Sequence, residues 1–188
     1  MYKRWGKRLF DLFFAGLAVL ALSPLLLLTA LLIKLFDPGP VIFRQKRVGR
    51  NGVYFTFLKF RSMPVNTGDI PSDQLGTVKI GPVGRFIRRT SIDELPQLFN
   101  ILKGDMSIVG PRPPLEKQAE LLSLRRENGA LSCRPGLTGL AQIRSYDGMP
   151  VAQKALFDGQ YARSISLGKD VQIILKTFLY LLKPPPVY

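Results

Sequence analysis

The chain has 188 residues, 46% of them hydrophobic, which is enough for one compact domain with a core of its own. It carries 27 Lys and Arg against 13 Asp and Glu, a formal net charge of +14, and this balance points to an anionic partner: nucleic acid, an acidic membrane face or phosphorylated small molecules. There is no histidine, which excludes histidine general-base chemistry, Ser-His triads and His-ligated zinc, and the single cysteine, Cys133, excludes an intrachain disulfide.

The first element is an apolar segment from Leu9 to Phe36, with no charge between Asp11 and Lys34. At about 1.5 Å per residue it is just long enough to cross a bilayer core of about 30 Å. It is too long for a secretory signal peptide, and no small-x-small cleavage site follows it. Both flanks are basic: Lys3, Arg4, Lys7 and Arg8 precede it, and Lys34, Arg44, Lys46, Arg47 and Arg50 follow. The positive-inside rule wants such flanks on the cytoplasmic side, which a spanning helix cannot satisfy at both ends. Ser23-Pro24 lies near the middle. Pro24 lacks an N–H, so the Leu20 carbonyl loses its partner, and Ser23 is placed to bond to a freed carbonyl. On the residues alone, a spanning and a re-entrant helix both remain open.

Pro40 to Phe60 predicts two short strands joined at Asn51-Gly52, a type I′ turn signal. Ile70 to Gly84 predicts a loop, rich in Gly, Pro, Ser and Asp. Helices are expected over Glu94 to Leu102, Leu115 to Glu127 and Val151 to Ser164. Asp170 is expected to cap a last apolar helix, VQIILKTFLYLLK. That helix is too short to span a bilayer, and suits either the core or a membrane interface beside Lys176 and Lys183. Pro184 to Pro186 stops it. No linker divides the chain.

The acids of interest are Asp93 and Glu94, within RRTSIDELPQLFN. Ser91-Ile92-Asp93-Glu94 fits an S-x-x-E capping box, with Pro96 suited to a first helical turn. The same place suits chemistry. A helix N-terminus attracts phosphate, Arg85, Arg88 and Arg89 add charge, and paired carboxylates can hold Mg²⁺ or attack phosphorus. Three further stretches point the same way: Lys59 and Arg61 alternate along LKFRSM, KGDMSIVGPRPP fixes Arg112 between prolines, and CRPGLTGLAQ places glycines where backbone must turn or approach closely. Taken singly, each is as well read as edge charge or turn.

Together, KFRSM, GRFIRRTSIDELPQLFNILKGDMSIVGPRP and RPGLTGLAQ, in this order behind a basic-flanked apolar segment, closely resemble the bacterial sugar transferase family, the monotopic phosphoglycosyl transferases. The resemblance covers nearly the whole chain and is to the family's minimal form, without the extra transmembrane domain of its larger members. It implies a helix-rich α+β fold. Residues 1–36 would form a re-entrant membrane helix broken at Ser23-Pro24, belonging to the same unit as a compact catalytic domain over 37–188 with a small β-hairpin and interfacial amphipathic helices. It implies an enzyme on the cytoplasmic face of the bacterial inner membrane. That enzyme moves a sugar-1-phosphate from a UDP-sugar to polyprenol phosphate, giving polyprenyl diphosphate-sugar and UMP, as a first membrane step of glycan assembly. The cofactor implied is Mg²⁺, held by Asp93 and Glu94. Asp93 takes the nucleophile's position and Glu94 that of its partner. Lys59 and Arg88 match positions near phosphates, and Arg112 one associated with the nucleotide. Asp158 and Tyr161, in FDGQYAR, resemble the family's acidic-aromatic segment and are expected among the phosphate- and nucleotide-binding residues, although Gly159-Gln160 replaces a bulkier, often aromatic pair. IRSYDGMP, Ile143 to Pro150, departs from the commoner Asn-Gly-Arg pattern.

Two other functions fit part of the pattern. A basic membrane adaptor for nucleic acid or anionic lipid explains charge and anchor but not the acidic pair, and no aromatic-basic RNA-binding motif is present. A Mg²⁺-dependent phosphohydrolase would use the same Asp93 with water as acceptor.

Overall fold

The structure, a computed structural model, describes residues 2–67, 80–144 and 148–181. A π-helical turn, Tyr2–Gly6, leads into α1, Lys7–Phe36. There follow β1, Ile42–Val48, and β2, Tyr54–Phe60; then α2, Pro82–Arg89, and α3, Gln97–Lys103. The chain continues through β3, Ser107–Val109; α4, Ala119–Glu127; β4, Gly136–Thr138; α5, Val151–Arg163; and α6, Leu167–Leu181. The fold is helix-rich α+β with two small sheets. Most of the loop expected over Ile70 to Gly84, the centre of IRSYDGMP and the closing prolines lie outside the described residues; Pro82–Gly84, expected as loop, opens α2.

α1 is one helix of 30 residues, mostly exposed and apolar. It runs unbroken through Ser23-Pro24, so the interruption expected there amounts to one missing backbone bond. Ser23 Oγ donates to the Leu20 carbonyl at 2.8 Å and supplies the partner that Pro24 removes. The helix buries two patches. Asp11 and Ala15 face α3 and β3, where Ala15 joins Phe57, Leu98, Ile101 and Met106. Thr29 and Ile33 lie further on, and Ile33 joins Phe60 and Ile87. Both halves of the apolar segment therefore rest on the rest of the chain.

Polar contacts fix the first half. Asp11 Oδ1 accepts from Ser107 Oγ and from the Ile108 amide, each at 3.0 Å. Arg8 donates to the Ile101 and Leu102 carbonyls at 2.6 and 2.9 Å, which satisfies the C-terminal end of α3.

β1 and β2 form an antiparallel hairpin pairing Val48 with Tyr54 and Ile42 with Phe60. At its turn Asn51 and Gly52 have φ of 56° and 83°, both positive as a type I′ turn requires. β3 and β4 pair in parallel through Ser107–Gly136 and Val109–Thr138. The strands that carry GPRP and RPGLTG approach so closely that a Cβ on Gly136 would overlap the Gly110 backbone. α5 occupies almost the expected span. α4 starts four residues later than expected, because Leu115 to Gln118 form a separate turn in which Gln118 Oε1 accepts from the Leu115 amide at 2.9 Å.

Asp170 does not cap α6. It sits inside the first turn, fully buried, and accepts from Tyr2 Oη, Lys7 Nζ and Tyr161 Oη, each at 2.7 Å. These partners tie α6 and α5 to the start of the chain.

Candidate active site

Asp93 and Glu94 sit on a 3-10 turn, Ile92–Glu94, between α2 and α3. The expected capping box does not form. Ser91 has φ of 56°, in the left-handed region, and makes no side-chain bond to the following turn. That backbone reversal ends α2 and starts the 3-10 turn. The Glu94 carboxylate is thereby free to point away from its own backbone, toward Lys59 and Arg112. Nor does a helix end supply the positive field: α3 has seven residues and follows Pro96, which has no N–H. The charge around the pair comes from side chains.

Lys59, on β2, donates to Glu94 Oε1 at 2.9 Å and reaches Asp93 Oδ2 at 3.5 Å. Arg112, from the Gly-Pro-Arg-Pro stretch after β3, donates to Glu94 Oε1 at 2.7 Å and to Oε2 at 3.5 Å. Arg88, in the last turn of α2, adds its charge to the field at Asp93. The structure thus brings Lys59, Asp93, Glu94 and Arg112 into direct contact, with Arg88 acting on Asp93. Arg61, which alternation puts on the Lys59 face, is used elsewhere: it is buried and pairs with Asp37.

The two carboxylates differ. Burial pushes the Asp93 carboxyl up, and the Glu94 charge adds to this, while Lys59 and Arg88 oppose it. Burial also acts on Glu94, but Arg112 and Lys59 outweigh it and hold that carboxyl far below the usual carboxylate range. Glu94 is a fixed anion held by two cations. Asp93 is buried and has one long contact to Lys59, so its oxygens remain available to an electrophile.

Asn100 was not legible as a site residue, yet it sets the spacing. It is buried on α3; its Oδ1 accepts from the Leu58 amide at 3.0 Å and its Nδ2 donates to the Thr56 carbonyl at 2.7 Å. These bonds lock the strand that carries Lys59 against the helix that follows the acidic pair.

Asp158 and Tyr161 lie elsewhere. Asp158 is 1% exposed, and its Oδ2 accepts from Arg125 Nε and Nη2 at 2.8 and 2.6 Å. Tyr161 is also 1% exposed, with its hydroxyl 2.7 Å from Asp170 Oδ1 and 3.0 Å from the Val109 carbonyl. Both side chains are enclosed and engaged in contacts inside the protein. Arg125 was missed. Its signal was available: it stands four residues after Leu121, on the face of α4 that is buried.

Among the described residues no three carboxylate, Cys or His side chains cluster as a metal site. A pair suffices for Mg²⁺, which takes one or two carboxylates and completes its shell with water and substrate phosphate. Asp93 and Glu94 are two adjacent carboxylates, the number such an ion takes from protein.

The bacterial sugar transferase family profile matches residues 2–184. UDP-glucose:undecaprenyl-phosphate glucose-1-phosphate transferase of Caulobacter vibrioides is 42% identical over 97% of this chain and 72% of its own length. The exopolysaccharide production protein ExoY of Sinorhizobium fredii is 41% identical over 92% of this chain and 83% of its own. Undecaprenyl-phosphate galactose phosphotransferase of Salmonella typhimurium is 35% identical over 98% of this chain and 42% of its own.

Proposed function

The chain belongs to the bacterial sugar transferase family, and on that premise we propose that it is a polyprenyl-phosphate sugar-1-phosphate transferase. It takes a sugar-1-phosphate from a UDP-sugar, releases UMP, and passes the phospho-sugar to polyprenol phosphate. The observation that carries this reading is the asymmetry of the acidic pair: an anchored Glu94 beside a buried Asp93 whose oxygens are lightly engaged. Relatives named for glucose and for galactose both match, so the sugar is left to experiment.

In the first step an Asp93 oxygen attacks the sugar-bearing phosphorus. The bond to the bridging oxygen breaks, and its electron pair leaves on UMP. Lys59, Arg88 and Arg112 offset the repulsion between the carboxylate and the phosphates. In the second step an oxygen of polyprenol phosphate attacks the same phosphorus and Asp93 leaves as carboxylate. Mg²⁺, held by Asp93 and Glu94 when bound, would supply charge stabilisation to the phosphates.

The same reading places the protein on the cytoplasmic face of the inner membrane, with α1 entering and leaving by one side. The two buried patches of α1, Asp11 with Ala15 and Thr29 with Ile33, both pack on the rest of the chain, which supports both ends of α1 lying on one side. Val171, Leu175, Phe178 and Leu179 form an exposed apolar stripe on α6, suited to the lipid interface. An apolar groove of about 330 Å³ lies between α1 and α2, lined by Leu25, Leu28, Leu32, Val83 and Phe86. Its lining residue Ile87 packs in one cluster with Phe60 and Ile92, the neighbours of Lys59 and Asp93. An isoprenoid tail there would bring its phosphate toward the pair.

The test is UMP release by nanodisc-embedded protein with Mg²⁺ and a panel of UDP-sugars, with and without undecaprenyl phosphate. Acceptor-dependent release that is lost in Asp93→Asn is the expected result. Release that ignores the acceptor and yields free sugar phosphate would mark a phosphohydrolase, and normal turnover by Asp93→Asn would refute the mechanism.

A further inference from the structure

Arg125 and Asp158 form a buried ion pair that the chemistry above does not use. Their side chains are 3% and 2% exposed. Two guanidinium nitrogens of Arg125, Nε and Nη2, bind one oxygen of Asp158. The third, Nη1, donates to the main-chain carbonyl of Arg112 at 2.9 Å. Arg112 is the residue whose own guanidinium holds Glu94 at 2.7 Å. A continuous line of polar contacts therefore runs from α5 through α4 to the acidic pair. Burying two charges is costly, and an ion pair of this kind adds little stability over well-packed apolar residues. A positional task explains its presence better.

The surroundings fit such a task. Pro111, Pro113 and Pro114 flank Arg112 and have no N–H to anchor the segment. Its carbonyls do the anchoring: Pro111 accepts from the Gly136 amide at 2.9 Å, and Pro114 from the Val48 amide at 3.0 Å. Between these two, Arg47 Nη1 donates to the Pro113 carbonyl at 3.2 Å, and Arg125 holds the carbonyl of the residue that bears the functional side chain. α4 is itself held to α5 by Asn128 Nδ2, which donates to the Ala155 carbonyl at 2.7 Å.

We propose that Arg125, oriented by Asp158, is a positioning residue that fixes the Arg112 main chain so that the Arg112 guanidinium meets Glu94. This rests on the reading of Asp93 and Glu94 as the reacting pair. It also gives Asp158 a role: it acts on the site through Arg125 and Arg112, at one remove from substrate.

Arg125→Lys is the informative variant. Lysine keeps the charge beside Asp158, so the fold is preserved, but a single ammonium cannot hold the carboxylate and reach the carbonyl in the arginine's fork geometry. Two readouts apply to the full chain in nanodiscs. In steady-state turnover, Arg125→Lys should lower kcat/KM for the UDP-sugar by about tenfold, the low end for losing an outer-shell partner. In an Arg112→Lys background it should cost less than about twofold, because the side chain it positions is already gone. In hydrogen exchange, the amides of Val48 and Gly136 should exchange faster in Arg125→Lys, with the α1 and α3 amides unchanged. Equal losses in both backgrounds, or unchanged exchange at Val48 and Gly136, would overturn the proposal. If Asp93→Asn turned over normally, the functional reading would fail, while the exchange result would still decide whether Arg125 holds the Arg112 segment.

Discussion

Arg112 Nη2 lies 2.7 Å from Glu94 Oε1, and Lys59 Nζ lies 2.9 Å from the same oxygen. Two cations from separate strand ends thus meet on one carboxylate oxygen, and each carries a different segment into the site. Glu94→Gln should therefore do more than remove a charge. The amide accepts weaker bonds and leaves Lys59 and Arg112 to repel each other. We expect turnover to fall by at least about 100-fold, the lower range for loss of an electrostatic contact at a transition state. Stability should fall by about 1–3 kcal/mol. Donor turnover and urea unfolding measure the two; a variant with wild-type turnover would remove Glu94 from the mechanism.

Asp93→Asn should separate activity from stability. Burial raises the Asp93 carboxyl above its unfolded value, so the folded state holds a proton more tightly than the unfolded chain does. Ionised Asp93 therefore costs stability at neutral pH, and that cost is relieved as pH falls through the raised value. Asparagine removes it. The melting temperature at pH 7 should rise while turnover drops by several orders of magnitude, as for loss of a nucleophile. A lowered melting temperature would show that the Lys59 contact outweighs burial.

The same shift sets the acid limb of the pH profile. Asp93 must be ionised to attack, so kcat/KM should decline at a pH above the ordinary Asp value of about 4. Lys59 lowers the Asp93 carboxyl, and Lys59→Met withdraws that effect, so the limb should move further up in pH. Glu94 runs the other way. Its carboxyl is held down, so its ion pairs contribute stability above the unfolded value of about 4.3, and that contribution is lost only as pH falls toward its folded value. An acid limb unmoved by Lys59→Met would show that another group controls it.

Asp170 joins the ends of the molecule. Replacing it with alanine leaves Lys7 and Tyr161 without their buried partner, which should cost about 3–5 kcal/mol. Asp170→Asn keeps an acceptor and should cost less. Chemical denaturation ranks them; equal, small losses would mean that Lys7 and Tyr2 find water instead.

Much of this was legible in the sequence where local chemistry decides. The hairpin follows from alternation and from Asn51-Gly52, whose positive φ values are local property. α5 follows from composition, and α1 from 22 uncharged residues between Asp11 and Lys34. Lys59, Asp93, Glu94 and Arg112 were recognisable from motif and meet in space. What failed was decided at long range. Ser91 reads as a cap, but its backbone is turned left-handed and Glu94 answers to Lys59, 35 residues away. Asp170 reads as a cap, but its partners Tyr2 and Lys7 lie at the other end of the chain. The β3–β4 pair has three residues per strand, too few for any periodicity to register.

The last prediction concerns α1. If both ends stay inside, cysteines at Lys3 and Pro38, one on each flank, should face the cytoplasm together. In a Cys133→Ser background, an impermeant maleimide added to intact cells should label neither Lys3→Cys nor Pro38→Cys, and should label both after the membrane is opened. A spanning helix would expose one of them. The contacts of α1 favour the first result. Arg8 and Asp11 at its start bind α3 and β3, and Asp37 just past its end pairs with Arg61 beside β2. These partners belong to one packed body, and separating them by a bilayer would strand buried Asp11 and Arg61 without counterparts. Pro24→Ala restores the backbone bond at Leu20 and removes the one residue that cannot complete the hydrogen-bond ladder of α1. It should shift part of the population toward the spanning form, seen as external labelling at one position. Labelling of one flank in the Pro24-containing protein would overturn the re-entrant reading.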